Sequence, residues 1–382
     1  MFLKKLKLTN YRNYKTCNIE FPTNKTIFVG KNAQGKTNIL ESIYYLATLS
    51  SYRSSSDSEL IHWGESNTQI KAEIERFETQ VTLDVFINPP NNKVLKVNGL
   101  KKTKSSQFLS NLLVVNFGID DLLLLRGTPS DRRKWINDAI SQLYPVYNER
   151  LAKYNKIRLQ RNNLLKEFKG NIHLTQSQID SLSVWNDQII VAGSNLIHLR
   201  QKYLKEISKF AHKKHKHISI GEEKLSIKYN STVTGDFDVE KEEVITSDKI
   251  AKIYSDIIQE KRNEEIIRGQ TVIGPHRDDI SFFINNVDAK SFASQGQQRT
   301  IVLALKLAEL DFIKNIVGEN PVLLLDDVLA ELDPARQNFL LDSIKEDIQT
   351  IITTVDISNF EPPYLEGVTI YHVESGSIKN RK

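Results

Sequence analysis

Eight consecutive residues constrain this chain more than any other feature: Gly30-Lys31-Asn32-Ala33-Gln34-Gly35-Lys36-Thr37. They fit the pattern G-x-x-x-x-G-K-[ST] at every defined position. The short apolar run Thr26–Val29 leads into them, and the text NILESIYYLATL follows with Ile39, Ile43, Leu46 and Leu49 at helical spacing. A buried strand, a glycine loop and a helix, in that order, make a cradle for phosphates. Gly30 and Gly35 carry no Cβ to obstruct backbone N–H groups turned inward. The helix N-terminus adds partial positive charge, Lys36 can reach the β- and γ-phosphates, and the Thr37 hydroxyl can ligate Mg²⁺. The expected ATP-binding residues are therefore Gly30, Lys31, Asn32, Ala33, Gln34, Gly35, Lys36, Thr37 and Asn38. A glycine turn matching by chance is the competing explanation, and the flanking strand and helix speak against it.

A phosphate cradle needs a metal, and one segment offers a place for it. Val322-Leu323-Leu324-Leu325 is apolar enough to lie inside a sheet, and it ends in Asp326-Asp327. Asp326 is expected to face the Mg²⁺ together with Thr37, as a Walker B residue does, and Asp327 to orient or deprotonate an attacking water. The bland alternative is an aspartate pair capping the next turn.

The rest of the chain alternates in character. Phe2, Leu3, Leu6 and Leu8 alternate with lysines as in a strand, and Gln69–Gly99 reads as β-rich with a tight turn at Asn98-Gly99. From Pro129 to about Arg268 the spacing becomes helical. Ile136, Ile140, Leu143, Tyr147, Leu151 and Tyr154 form one stripe, and Trp185, Ile189, Leu196, Tyr203, Ile207 and Phe210 a second. Alternation returns briefly between Ile218 and Asn230, and strands and helices alternate again after Gly269, with strands at Pro321–Leu325 and Thr350–Val355. The expected architecture is an α/β P-loop head assembled from residues 1–121 and 269–382, with an inserted, mainly helical lobe over 122–268. The single cysteine, Cys17, allows no internal disulfide and fits a reducing cytoplasm. No stretch approaches the roughly 20 apolar residues of a membrane helix.

Ala293-Ser294-Gln295-Gly296-Gln297-Gln298-Arg299 precedes a helix expected over Thr300–Lys314, with Ser294 at its N-cap. It stands about 30 residues before the Asp326 strand and resembles the ABC signature motif, with Gln295 in place of one glycine. Asp333, before Pro334, matches the D-loop aspartate; a helix cap followed by proline is the alternative. Further segments narrow the likeness. They include Gly35–Leu46, Tyr52-Arg53, Asp120-Asp121-Leu122, Gly127-Thr128-Pro129 with Arg132-Arg133, Gln160–Lys166, Gly274-Pro275-His276-Arg277-Asp278-Asp279 and Ser294–Thr300. In this order, over almost the whole chain, they resemble the RecF family of ABC/SMC-type ATPase heads. The resemblance implies a homodimer that forms on binding ATP, with Ser294 of one copy covering the γ-phosphate held by the other. It implies binding to DNA, duplex and at single-strand gaps, slow ATP hydrolysis, and work with RecR and RecO in loading RecA and supporting the SOS response. Two departures stand out: Thr353-Thr354 occupies the place of the ABC switch histidine, and no Q-loop glutamine lies near Asn116-Phe117-Gly118. A transporter ATPase would carry both and would lack the long helical insert. A scaffold that uses ATP only to dimerise is the other rival.

The net charge of +5 permits a polyanionic partner. Arg200, Lys202, Lys205, Lys209, Lys213, Lys214 and Lys216, with His212, His215 and His217, have only Glu206 as a nearby acid in sequence. They make either a phosphate-binding face or a solvated helix end. Lys101, Lys102 and Lys104 form a second such cluster. The three histidines read as solvated rather than metal-binding. Tyr11, Arg12 and Tyr14 fit either an adenine-stacking segment or an aromatic strand edge, and His276-Arg277 fits a structural network beside a dimer interface.

Overall fold

The computed structural model describes residues 1–380 apart from positions 55, 91, 172, 345, 359 and 361. The chain divides into two compact units, one of Met1–Leu122, Ser141–Pro145 and Val302–Lys382, the other of Leu123–Ile140 and Val146–Ile301.

In the first unit the run ahead of the glycine loop becomes the strand Lys25–Val29, with four of five residues buried. It lies inside a six-stranded sheet in the order Ser377–Asn380, Thr369–Glu374, Lys25–Val29, Thr350–Thr354, Val322–Asp326, Val114–Gly118. The last five run parallel, and only Ser377–Asn380 is antiparallel. Because the strands are buried, they read as continuous apolar runs. The register pairs Asp326 with both Thr353 and Gly118, and Thr354 with Val29. The carboxyl ends of four strands thus meet at one edge, where open α/β sheets bind ligands.

A second six-stranded sheet, wholly antiparallel, is ordered Tyr14–Glu20, Phe2–Tyr11, Thr68–Arg76, Thr79–Asn88, Asn92–Val97, Leu100–Lys102. Its last hairpin turns at Asn98-Gly99, both with positive φ, as the sequence predicts. The helix Lys36–Thr48 joins the two sheets into one core. Ile39, Leu40, Ile43 and Leu46 pack with Leu3, Leu6, Ile70 and Ile74 of the antiparallel sheet and with Phe28, Val114, Leu324 and Ile351 of the parallel one. Each such side chain contributes about 1.5–3 kcal/mol on burial. Glu41 is a buried carboxylate on the same helix. It is fully buried and held by a two-pronged ion pair from Arg12, at 2.6 and 2.9 Å, and by the Ser51 hydroxyl at 2.5 Å.

The second unit is mainly helical, but not only so. The helices Pro145–Glu167, Gln176–Ile218, Ser247–Glu260 and Arg262–Arg268 accompany a four-stranded antiparallel sheet ordered Gly235–Asp238, Leu225–Ser231, Asp279–Ile284, Val287–Asp288. Here the structure departs from the sequence expectation in two places. The stripe Ile136–Tyr154 is two helices, because Pro145 opens a new one after Pro129–Leu143. Residues 269–301 group with the helical unit and not with the C-terminal head segment. The alternation at Leu225–Ser231 finds its partner in Asp279–Ile284, with Ile280 opposite Tyr229 and Phe282 opposite Ile227. Buried polar contacts fix the same unit: Arg161 donates to Glu265 at 2.5 Å and to Thr271 at 2.9 Å, while the Thr271 hydroxyl donates to Asn162 at 2.7 Å.

Candidate nucleotide site

Gly35 has φ +115°, a conformation open to glycine alone, and starts the helix Lys36–Thr48. Gly30 is needed for a different reason: a Cβ there would overlap the Val373 carbonyl. Lys36 is buried and curls back, its ammonium donating to the carbonyls of Gly30 at 2.7 Å and Lys31 at 3.1 Å. The loop between them is braced from two other segments. The Asn13 amide donates to the Gln34 carbonyl at 2.9 Å, and the Tyr14 hydroxyl to the Gly35 carbonyl at 3.1 Å. From the turn between Thr369–Glu374 and Ser377–Asn380, the Ser375 N–H reaches the Gln34 side chain at 2.7 Å and the Gly376 N–H its carbonyl at 3.1 Å. Asn38 closes the circuit, donating to Asn13 at 2.8 Å and accepting from Arg53 at 2.7 Å.

Asp326 meets this loop at the end of its strand. The Thr37 hydroxyl donates to Oδ1 at 2.9 Å, the Thr353 hydroxyl to the same oxygen at 2.7 Å, and the Tyr52 hydroxyl to Oδ2 at 3.3 Å. Burial pushes the carboxyl up from its ordinary value, against the Thr353 and Thr37 hydrogen bonds that lower it, and adjacent Asp327 adds to the rise. Asp327 has φ 52°, a left-handed conformation that aspartate tolerates better than most residues. Its N–H donates to Thr353 Oγ1 at 3.0 Å, and its side chain makes no capping bond to the turn that follows. The turn-capping alternative for this residue is therefore not what the fold uses. Thr353 holds both aspartates at once. In the sequence Thr353 marks only the place of a missing histidine, Asn13 and Ser375 carry no signal of their own, and Tyr52 stands out only in the Tyr52-Arg53 pair.

The first unit thus brings together Lys36, Thr37, Asp326 and Asp327. Ser294 belongs to the second unit. It is exposed and caps the helix Gln295–Val317, its hydroxyl accepting from Gln297 N–H at 3.2 Å while Gln297 Oε1 accepts from Ser294 N–H at 2.8 Å. The helix starts five residues earlier than the sequence suggested, because this reciprocal cap fixes its first turn. Asp333 likewise caps the helix Pro334–Ser343 and pairs with Arg336.

Other readings are corrected. Tyr11 and Tyr14 are fully buried and offer no face to an adenine. Arg200 is buried, not part of a surface, with its guanidinium bonded to Tyr147 at 3.0 Å and to the Pro275 carbonyl at 2.6 Å and 3.9 Å from Asp278. Its helix neighbours meet acids from beyond the helix, Lys205 with Glu243 at 2.9 Å and His215 with Glu223 at 3.6 Å. Burial lowers the His215 pKa, and this histidine is not solvated. Lys101 and Lys104 are exposed. No group of three or more potential metal-binding side chains occurs among the described residues.

Known proteins resemble this chain over most of its length. Residues 2–125 match the family described as the RecF/RecN/SMC N terminal domain. The DNA replication and repair protein RecF of Thermosynechococcus vestitus is 40% identical over 380 residues, covering 99% of this chain and 97% of that one. RecF of Bacillus thuringiensis is 39% identical over 378 residues, covering 99% and 98%. The solved structure of the recombination mediator protein RecF with ATP, in the RecFOR pathway, superposes with a TM-score of 0.88 at 31% identity, covering 100% of this chain and 98% of that one. An Smc head domain derived from Pyrococcus furiosus shares the fold, with a TM-score of 0.51 at 16% identity over 99% and 95% of the chains. The α/β P-loop head with its largely helical lobe, and relatives of this identity over nearly the full length, place the chain in the RecF family of DNA replication and repair proteins.

Proposed function

We propose that this chain binds ATP with Mg²⁺ at Gly30–Asn38, closes into a homodimer when it does so, and in that state binds DNA, both duplex and at single-strand gaps. Slow hydrolysis then releases the dimer. Its partners are RecR and RecO, its task the loading of RecA and support of the SOS response, and its place the cytoplasm. No helix among the described residues is long and apolar enough to cross a membrane.

The observation that carries this reading is the 2.9 Å approach of Thr37 Oγ1 to Asp326 Oδ1 beside the Lys36 ammonium's loop. Two hard oxygen donors at the mouth of a phosphate loop suit Mg²⁺, which binds through one or two protein oxygens and completes its shell with water and phosphate. When bound, the ion neutralises charge on the β- and γ-phosphates. Lys36 exchanges its loop carbonyls for phosphate oxygens, Asp326 with Thr37 holds the metal, and Asp327 orients the attacking water. Ser294 of the opposite copy, at a helix N-terminus, covers the γ-phosphate.

Light scattering and DNA anisotropy with and without ATP and Mg²⁺ test the scheme. The wild type should become dimeric and bind duplex DNA only with nucleotide, and Lys36→Met should do neither. A Lys36→Met chain that binds ATP, dimerises and holds DNA like the wild type would overturn it.

A further inference from the structure

The second unit contains a cleft of about 350 Å³ that the nucleotide chemistry does not use. Arg133, Lys134 and Asn137 line it from the helix Pro129–Leu143, and Tyr154 and Arg158 from the helix Pro145–Glu167. Asn137 stands three positions beyond Lys134 and four beyond Arg133, and Arg158 four beyond Tyr154, spacings at which helix side chains are neighbours. Pro275-His276, from the segment that bears the family likeness, completes the lining.

The charges here are not balanced. Asp138 is the one carboxylate in the lining, and Lys134 holds it at 2.8 Å. Buried Arg200 answers to Asp278, and Arg132 takes both oxygens of Asp279 at 2.6 and 2.9 Å. Arg133 gives one N–H to the Asp278 carbonyl at 2.8 Å and has no carboxylate within ion-pair distance among the described residues. Arg158 has no hydrogen bond or ion pair at all among them. Burial, and then the charge of Arg200, push the Arg133 guanidinium below its ordinary value. His276 adds no charge of its own. Its Nε2 lies 3.2 Å from the Thr271 carbonyl and must donate to it, so Nδ1 accepts from the Tyr154 hydroxyl at 2.6 Å. Asn137 uses its side-chain oxygen on Tyr147 at 2.6 Å and Arg200 at 3.0 Å, which leaves its amide N–H groups as neutral donors.

Two guanidinium groups on two helices, turned to one cleft whose single carboxylate is held by Lys134, call for a ligand with several charged oxygens in a tetrahedral arrangement. A single carboxylate is satisfied by one fork. The cleft has room for roughly ten waters at about 30 Å³ each, more than a lone oxyanion of five heavy atoms fills, so a phosphate carried on a larger chain fits it better. We infer that this cleft is a phosphate-binding site that takes a backbone phosphate of a nucleic-acid strand between Arg133 and Arg158. The inference rests on the DNA-binding reading above and names one place where the strand is held.

Arg158→Ala is the decisive variant, since no partner in the fold depends on that side chain. In ATP and Mg²⁺, DNA affinity should fall about tenfold, as expected for one charge-assisted contact. The slope of log affinity against log salt should lose about one unit. Arg158→Lys should recover most of the affinity, while nucleotide binding and thermal melting stay as in the wild type. A poly-glutamate peptide should compete poorly; competition equal to that of DNA would mean a general acidic-protein site and overturn the assignment. So would inorganic phosphate binding that is lost in Arg158→Ala with DNA affinity unchanged, since the source would then be free anion. An unchanged variant beside a wild type that binds DNA sinks the cleft alone, whereas a wild type that fails to bind DNA sinks both readings.

Discussion

Thr37 and Asp326 stand 289 positions apart in the chain and 2.9 Å apart at the mouth of the phosphate loop, hydroxyl to carboxylate oxygen. Thr37 is the first-turn residue of a helix and Asp326 the last of a strand, so neither can move without its element. A third residue, Thr353, fixes the distance by binding Asp326 through its hydroxyl hydrogen and the Asp327 N–H through its lone pair.

Thr353→Val should therefore weaken Mg²⁺-dependent ATP binding and turnover by roughly 10–100-fold, the range for residues that orient metal ligands. Thr353→Ser keeps both hydrogen bonds and should restore most of the loss. Nucleotide titrations at varied Mg²⁺ decide it; equal affinity in the valine variant would leave Thr353 a plain sheet residue.

Asp327→Asn should retain ATP and Mg²⁺ binding and slow hydrolysis by about 10²–10⁴-fold, because a neutral amide is a far poorer base. The dimer should persist correspondingly longer. Single-turnover hydrolysis beside light scattering tests this, and an unaltered rate would move the role to another residue.

Ser294→Arg separates cap from contact. Ser294→Ala removes only the hydroxyl that accepts from Gln297 and should lower stability by about 1 kcal/mol. The arginine variant should also bind ATP almost normally yet stay monomeric, since a bulky side chain would block the opposite copy. If it dimerises with ATP as the wild type does, the composite site is wrong.

His276 carries a pH dependence of known sign. Burial, and then the positive charge of Arg158, push its pKa from 6.5 to about 3, with Arg277 and Arg133 acting the same way and the Thr271 carbonyl opposing them. An unfolded chain takes up this proton below 6.5 and the folded one does not, so stability falls as pH drops from 6.5 toward about 3. Urea midpoints should decline less steeply over that window in His276→Gln. Parallel curves would show that the imidazole titrates freely.

Legibility in the sequence followed chain proximity. The phosphate loop is eight adjacent residues with its strand and helix on either side, and Asp326 announces itself by ending an apolar run. Thr353 carried no such mark, because its role exists only where two parallel strands lie in register. Arg200 sits among lysines and reads as surface. Its burial depends on Tyr147, Pro275 and Asp278, which lie 53, 75 and 78 positions away. The small sheet of Leu225–Ser231 and Asp279–Ile284 was hidden for the same reason, since alternation in one strand does not name its partner.

The brace on Gln34 comes from Ser375 and Gly376, more than 340 residues downstream. A ribosome delivers the loop more than 340 residues before this support. A nascent chain therefore carries the glycine loop, with its early braces from Asn13 and Tyr14, long before the last of its supports is made. Ribosome-stalled chains halted before Ser375 should retain a fluorescent ATP analogue far less well than those extended past Asn380, and equal retention would show that the turn merely rests on the loop.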